Sequence, residues 1–364
     1  MSAPDQLLAG VLRGDLRAVA RACRVVDEAW PGHLELLAEL FPHTQQAWWI
    51  GITGSPGVGK STLTSRLIAE LRNQGKRVGV VAVDPSSPFS GGALLGDRIR
   101  MQAHWADPEV FIRSVATRGA VGGLSHTTAD VARVLSAWGA AVVLIETVGV
   151  GQDELEVVRV AHSTLVVQAP GAGDDLQAAK AGLLECADVF AVNKADLPGA
   201  ESAVQHLRSM LTLGQITASA SKIVSSHFGA AQHGVGDHGV AHWGARDPGG
   251  AEGMGITAGA SSEDWEVPVV KCAAARGEGV ADVLVALEQH RSWLANTASG
   301  RARRVARSRA ELFGLLRDTL SAVLFDRHQA EIEALAVRVA AAEVDPHRAC
   351  AELVARWTNS PRGT

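Results

Sequence analysis

Residues Gly54, Ser55, Pro56, Gly57, Val58, Gly59, Lys60 and Ser61 follow the spacing GxxxxGKS, with Thr62 next in line. The glycines let successive backbone N–H groups turn toward a β-phosphate, and a helix starting at Ser61 and Thr62 adds partial positive charge. Lys60 is long enough to reach β- and γ-phosphate oxygens, where it bears on catalysis. Ser61 offers a hydroxyl to Mg²⁺. The chemistry indicated is the binding of a nucleoside triphosphate.

A second carboxylate-bearing segment, Val143-Leu-Ile-Glu146-Thr147-Val148-Gly149, ends an apolar run. Glu146 at that end can hold Mg²⁺ through water, and the Gly149 amide can meet a γ-phosphate. Between these two motifs, Asp84 and Asp97 flank the stretch PSSPFSGGALLG, whose Pro, Ser and Gly content suits a loop that reorders around γ-phosphate and metal. Asp84, at the end of an expected strand, is the better placed of the two as a metal ligand. Base choice is carried by Asn193-Lys194-Ala195-Asp196. The Asp196 carboxylate can accept from the guanine N1–H and 2-amino group, donors that adenine lacks. Asn193 can either engage N7 or brace the loop, and the Lys194 stem can cover the ring. The expected ligands are GTP and GDP with Mg²⁺.

These motifs need rigid elements to converge. Apolar, β-branched runs at Trp48 to Thr53, Val78 to Val83, Val110 to Ser114, Val142 to Glu146, Leu165 to Gln168 and Val189 to Asn193 read as strands buried on both faces. Amphipathic stretches between them imply helical crossovers. The fold class is therefore α/β, a doubly wound, mostly parallel sheet of P-loop NTPase type with N- and C-terminal helical extensions. Residues 1–46 form the N-terminal helical extension. Residues 47–213 and 265–298 form the nucleotide domain, the latter with a strand at Val267 to Cys272 and a helix from Val280. Residues 214–264, dominated by Gly, Ala, Ser and His, read as a disordered insertion with little to bury. Residues 299–364 have helical periodicity and form a C-terminal arm.

The bulk composition narrows the partners. A chain of 364 residues, 47% of them hydrophobic, can bury a large core. Its net charge of −5 supplies no global attraction to nucleic acid or to an anionic membrane, and the arginines from 301 to 309 alternate with Ala and Val as on a solvated helix face. No apolar run reaches the ~18 residues of a spanning helix and no signal peptide opens the chain, so a cytoplasmic location is expected. Cys23, Cys186, Cys272 and Cys350 are scattered without a CxxC pair, which reads as reduced, mostly buried thiols.

The combination GITGSPGVGKST, VAVDPSSPFSGGALLGDRIRM, ETVGVGQDE, PGAGDDLQAAKAG and NKAD resembles the methylmalonyl-CoA mutase-associated GTPases of the SIMIBI class, formerly classed as arginine/ornithine transport ATPases. The resemblance covers residues 12–213 and resumes at 267–320. It implies a GTPase chaperone of an adenosylcobalamin-dependent acyl-CoA mutase, gating cofactor loading and protecting or reactivating the mutase. It also implies a homodimer in which the helical extensions make contacts, and a third switch over residues 171–180. There Asp174, Gln177 and Lys180 would share a helix face.

Small regulatory GTPases place a Gln directly after the switch glycine to orient the attacking water. Here Val150 holds that slot and Gln152 follows two residues later. Slow hydrolysis by the isolated chain is therefore expected, with a partner bringing Gln152, or Gln177 and Lys180, into place. Two departures from the family stand out. The base-proximal loop reads Lys271-Cys272-Ala273-Ala274-Ala275, without the relatives' serine, so the backbone amides of Ala273, Ala274 and Ala275 are the expected contacts to the guanine oxygen. The insertion 214–264 is the other. Its histidines, His227, His233, His238 and His242, open a nickel-metallochaperone alternative, although their spacing is loose. A transport-associated ATPase or kinase is the third reading, since a P-loop alone does not choose the phosphoryl acceptor.

Overall fold

A computed structural model describes residues 3–84, 102–116, 123–147, 160–171, 186–227 and 264–359. The side chain of Asp84 and the whole of Asp97, Gly149, Val150, Gln152, Asp174, Gln177 and Lys180 lie outside the described residues.

Seven strands form one sheet: β1 (Trp48–Thr53), β2 (Val78–Asp84), β3 (Val110–Ala116), β4 (Val142–Thr147), β5 (Ser163–Gln168), β6 (Val189–Val192) and β7 (Val269–Lys271). Their order is β3-β2-β4-β1-β5-β6-β7, every pairing parallel. Parallel strands need crossovers, and helices cover both faces. Strand alternation sorts the side chains. On one face Trp48, Ile50, Ile52, Val142 and Leu144 pack under α4 (Lys60–Asn73) and α7 (Val280–Asn296). On the other, Trp49, Val143 and Ile145 pack with α5 (Gly123–Ala137) and with α1 (Ala3–Leu12), α2 (Leu16–Asp27) and α3 (His33–Leu40). Val11, Val19, Cys23, Leu36 and Leu40 join that second core, so the N-terminal helices complete a layer of the sheet.

The expected strands all form, the edge strand β7 as a shorter segment than Val267 to Cys272. The helix α6 (Ala200–His227) departs from expectation, because it continues through residues 214–227, where the insertion was to begin. Small Ala and Ser residues tolerate a helix once Val204 and Leu207 have docked its first turns on Phe190 and Val192. Residues 228–263 lie outside the described residues. The long α8 (Ala298–Ala340) carries non-helical angles at His328, and α9 (Pro346–Asn359) packs back on it through Leu335, Val344 and Ala349. Among the described residues, no helix is long and apolar enough to cross a membrane. Cys23 and Cys272 are buried, which pushes each thiol up to about 12, whereas Cys186 is half-buried and Cys350 exposed.

A polar network ties α7 and α8 to the amino ends of the strands. The Trp48 indole donates to Ser163 Oγ at 3.0 Å, and Ser163 Oγ lies 2.8 Å from His290 Nδ1. Arg303 of α8 pairs with the buried Asp188 at 2.5 Å. Asp188 in turn accepts from the Thr164 amide. Burial raises the Asp188 carboxyl above its usual range and, with the nearby Arg303 and Arg307 charges, lowers His290 to about 3.

Candidate functional site

The phosphate loop lies between β1 and α4 at the carboxyl end of the sheet, the usual crevice for ligands in open α/β folds. Gly54 has φ +141°, and a Cβ there would stand 2.1 Å from the Val167 carbonyl oxygen of β5. Gly59 has φ +93°, and its Cβ would meet Asn193 Nδ2 at 2.5 Å. Both positions combine a backbone that L side chains avoid with a neighbour that leaves no room. Lys60 is buried, and its ammonium donates to the carbonyls of Gly54 at 2.5 Å and Ser55 at 3.1 Å. The charge is thereby held over the loop where phosphate oxygens would compete for it.

Ser61 at the start of α4 donates to Glu146 Oε1 at 2.6 Å. These two expected metal ligands, 85 positions apart in sequence, meet because β4 is the immediate neighbour of β1, with Ile52 registered on Glu146. A hydroxyl and a carboxylate at the amino end of a helix form an oxygen donor set that suits a hard cation such as Mg²⁺. Asp84 ends β2, one position beyond the Val83 to Thr147 pairing, which puts its backbone at the same end of the sheet. Asp97 is outside the described residues. Among the described residues no group of three or more His, Cys, Asp and Glu side chains could hold a metal. The side chains of His227, His233, His238 and His242 are outside them.

The guanine side is built around Asn193. Its Nδ2 donates to the Val58 carbonyl at 2.9 Å and its Oδ1 accepts from the Ala274 amide at 3.0 Å. The buried amide thus ties the phosphate loop to the loop after β7, the bracing geometry of the two sequence options. Lys194, at φ +56°, donates its ammonium to Gly57 O at 2.7 Å, so its stem spans from one loop to the other. The Asp196 carboxylate faces outward, with the exposed Arg276 guanidinium 3.3 Å away.

Of the three consecutive amides expected at the guanine oxygen, two have partners within the protein. The Ala273 amide donates to Glu278 O within a tight turn, and the Ala274 amide is taken by Asn193. No hydrogen bond from the Ala275 amide is found among the described residues. Arg66 of α4 was missed in the sequence: its guanidinium donates to Ala274 O at 3.0 Å and Ala275 O at 2.9 Å, holding both carbonyls toward α4. No motif marks an arginine one helical turn past the phosphate loop whose partners lie 208 and 209 residues away. Arg276 beside Asp196 was missed for the same reason.

A test of Arg66 follows from its geometry. Arg66→Ala is expected to weaken GTP and ITP roughly tenfold each, since both carry the 6-oxygen, and to leave 2-aminopurine riboside triphosphate, which lacks it, unchanged. Equal weakening of all three in fluorescence titrations would mean that Arg66 only supports the fold.

Comparison with known proteins places the chain among sequences of one kind. Residues 19–329 match the family model described as Methylmalonyl Co-A mutase-associated GTPase MeaB. A Pyrococcus abyssi protein classed among the GTPases is 38% identical over 350 residues, spanning 95% of this chain and 94% of that one. The mouse protein named methylmalonic aciduria type A homolog, mitochondrial, is 34% identical over 53% of this chain and 50% of its own. Among solved structures, one titled LAO/AO transport system kinase superposes with a TM-score of 0.63 at 21% identity, covering 99% of each chain, and so shares the fold.

Proposed function

This chain belongs to the MeaB family of methylmalonyl-CoA mutase-associated GTPases, and from that premise we propose how its site serves a mutase. The family makes it a nucleotide-hydrolysing GTPase and a chaperone associated with an adenosylcobalamin-dependent acyl-CoA mutase. Our reading is that it gates cofactor loading and protects or reactivates the mutase, with hydrolysis slow until the partner is bound.

The observation that carries this reading is the Asn193 bridge, which couples the phosphate loop to the base loop. Binding of the base and binding of the phosphates are then one event, as a molecular switch needs. Lys60 would neutralise β- and γ-phosphate charge, and the α4 amino terminus would stabilise the same oxygens. Mg²⁺, held by Ser61 and Glu146 with Asp84 or Asp97, would add positive charge at the β- and γ-phosphates. Asp196 at N1–H and the 2-amino group and the Ala275 amide at the 6-oxygen would read adjacent positions along one edge of guanine. Gln152, Gln177 and Lys180 are the candidates for positioning water, and Val150 in the usual glutamine slot supports a site that is incomplete by itself.

A homodimer, and the division into a nucleotide domain and a C-terminal arm, are supported by α8. That helix exposes Leu312, Leu316, Leu320 and Phe325, an apolar series of the kind that marks an interface. The expected setting is the cytoplasm.

One experiment tests the whole reading. Steady-state GTP hydrolysis is measured with the purified protein alone and with methylmalonyl-CoA mutase, the sample being sized by sedimentation. A slow basal rate that rises roughly tenfold or more with the mutase, from a protein that sediments as a dimer, is expected. Fast basal turnover that ignores the mutase would overturn the partner-dependent reading.

A further inference from the structure

A cavity of about 1510 Å³ opens at the amino end of the strands, opposite the nucleotide loops, between the first turns of α8, the starts of β5 and β6, and α5. Its walls include the apolar surfaces of Phe41, Trp49 and Phe313, and it is lined by arginines well in excess of carboxylates. The two carboxylates in the lining are already engaged, Asp188 by Arg303 and Glu311 by Arg133. Arg304 and Arg307, one helical turn apart on α8, have no carboxylate within ion-pair distance among the described residues. Arg307 gives one hydrogen bond, to Ala161 O at 3.1 Å. A guanidinium carries five N–H donors, and both side chains line the cavity, Arg304 exposed and Arg307 half-buried, so the pair keeps donors that no protein group takes.

A third donor is set by His162. Its Nδ1 accepts from the Trp49 amide at 3.2 Å, which puts the proton of the neutral ring on Nε2. The ring stacks flat on the Trp49 indole, with centroids 5.2 Å apart, and lines the same cavity. Burial, followed by the Arg307, Arg304 and Arg291 charges, lowers it to about 3, so it stays a neutral donor across the physiological range. Burial and the neighbouring Arg304 and Arg303 charges also lower Arg307, to about 10, against the pull of Glu311. Glu311 and Asp188 offset part of this from a distance, but neither is in ion-pair contact with Arg304 or Arg307, so an anion bound between them and the His162 N–H would meet two cations whose direct pairing is unfilled.

We propose that Arg304, Arg307 and His162 form a binding site for a small organic anion, with its phosphate or carboxylate head on these donors and its apolar body against Phe41, Trp49 and Phe313. The recessed position of His162 and the aromatic walls favour a small molecule over a protein segment. The site lies at the base of β5 and β6, whose far ends abut Gly54 and carry Asn193, so an occupant would sit at the opposite end of the strands that support the nucleotide site.

The test uses the full-length protein saturated with GDP, so that the phosphate loop is filled and nucleotide binding is verified first in the same sample. Calorimetric titrations then use inorganic phosphate, phenyl phosphate and benzoate, the last two separating a phosphate from a carboxylate head. One saturable site is expected, tighter for an aryl anion than for inorganic phosphate. Arg304→Gln and Arg307→Gln should each weaken it roughly tenfold, while Arg307→Lys, which keeps the charge, should lose less. Absence of saturable binding by all three probes, or binding unchanged in both glutamine variants, would overturn the proposal. So would a GDP-loaded protein that ignores the anions but loses self-association in Arg304→Gln, since an acidic side chain of a second copy would then fill the cavity.

Discussion

Asp196→Asn is expected to weaken GTP by about 3 kcal/mol, roughly two orders of magnitude in Kd, while creating affinity for XTP. A hydrogen bond to a charged acceptor contributes about 1.5–3 kcal/mol, and guanine would present two donors, N1–H and the 2-amino group, to this one carboxylate. Asparagine keeps one acceptor for N1–H and turns its other end into a donor that opposes the guanine amino group. Xanthine carries an oxygen at that carbon, so the same donor becomes complementary to it. The ion pair with Arg276, at 3.3 Å to an exposed guanidinium, would be lost as well and is worth little at the surface. Competition titrations with GTP, XTP and ITP check this. A variant that binds GTP and XTP as the parent does would remove Asp196 from base recognition.

Asn193→Ala should cost about 3 kcal/mol although, in this geometry, the side chain serves the loops rather than the nucleotide. Its loss strands two groups at once, the Val58 carbonyl and the Ala274 amide, each costing about 1–3 kcal/mol when left without a partner away from water. The loss should divide between a lower Tm and a GTP Kd raised tenfold or more, because the phosphate loop and the base loop no longer hold a common position. Asn193→Asp separates the two halves. It keeps an acceptor for the Ala274 amide but has no donor for Val58 O, so it should retain base discrimination better than phosphate affinity. If the alanine variant binds GTP with unchanged affinity, the bridge is not what couples the loops.

Both effects depend on contacts of different reach. Phosphate recognition could be read from eight consecutive residues because its machinery is local: backbone amides, one lysine, one hydroxyl and a helix start lie within two turns of chain. Asp196 could be proposed for base recognition from sequence because the strand before it ends in a contiguous tetrapeptide. The role of Asn193 stayed open between a base contact and a brace, since its two partners lie 135 and 81 residues away. The three alanine amides looked equivalent in sequence. Which of them remains for a base depends on the turn closed by Glu278 and on Arg66, neither of which has a local signature.

By itself, then, the sequence determined the α/β class, the strands, the phosphate loop and the family, each being a periodicity or a short run whose chemistry is complete within itself. The tertiary structure decided the strand order β3-β2-β4-β1-β5-β6-β7, and with it the meeting of Ser61 and Glu146. It also decided that the N-terminal helices complete a layer of the core, that α6 runs through His227, and that Arg304 and Arg307 turn toward a cavity beside His162. The physical reason is the same throughout. Periodicity reveals which face of an element is buried, but the partner across that face is selected by packing and hydrogen-bond satisfaction among residues that the chain brings together only when folded.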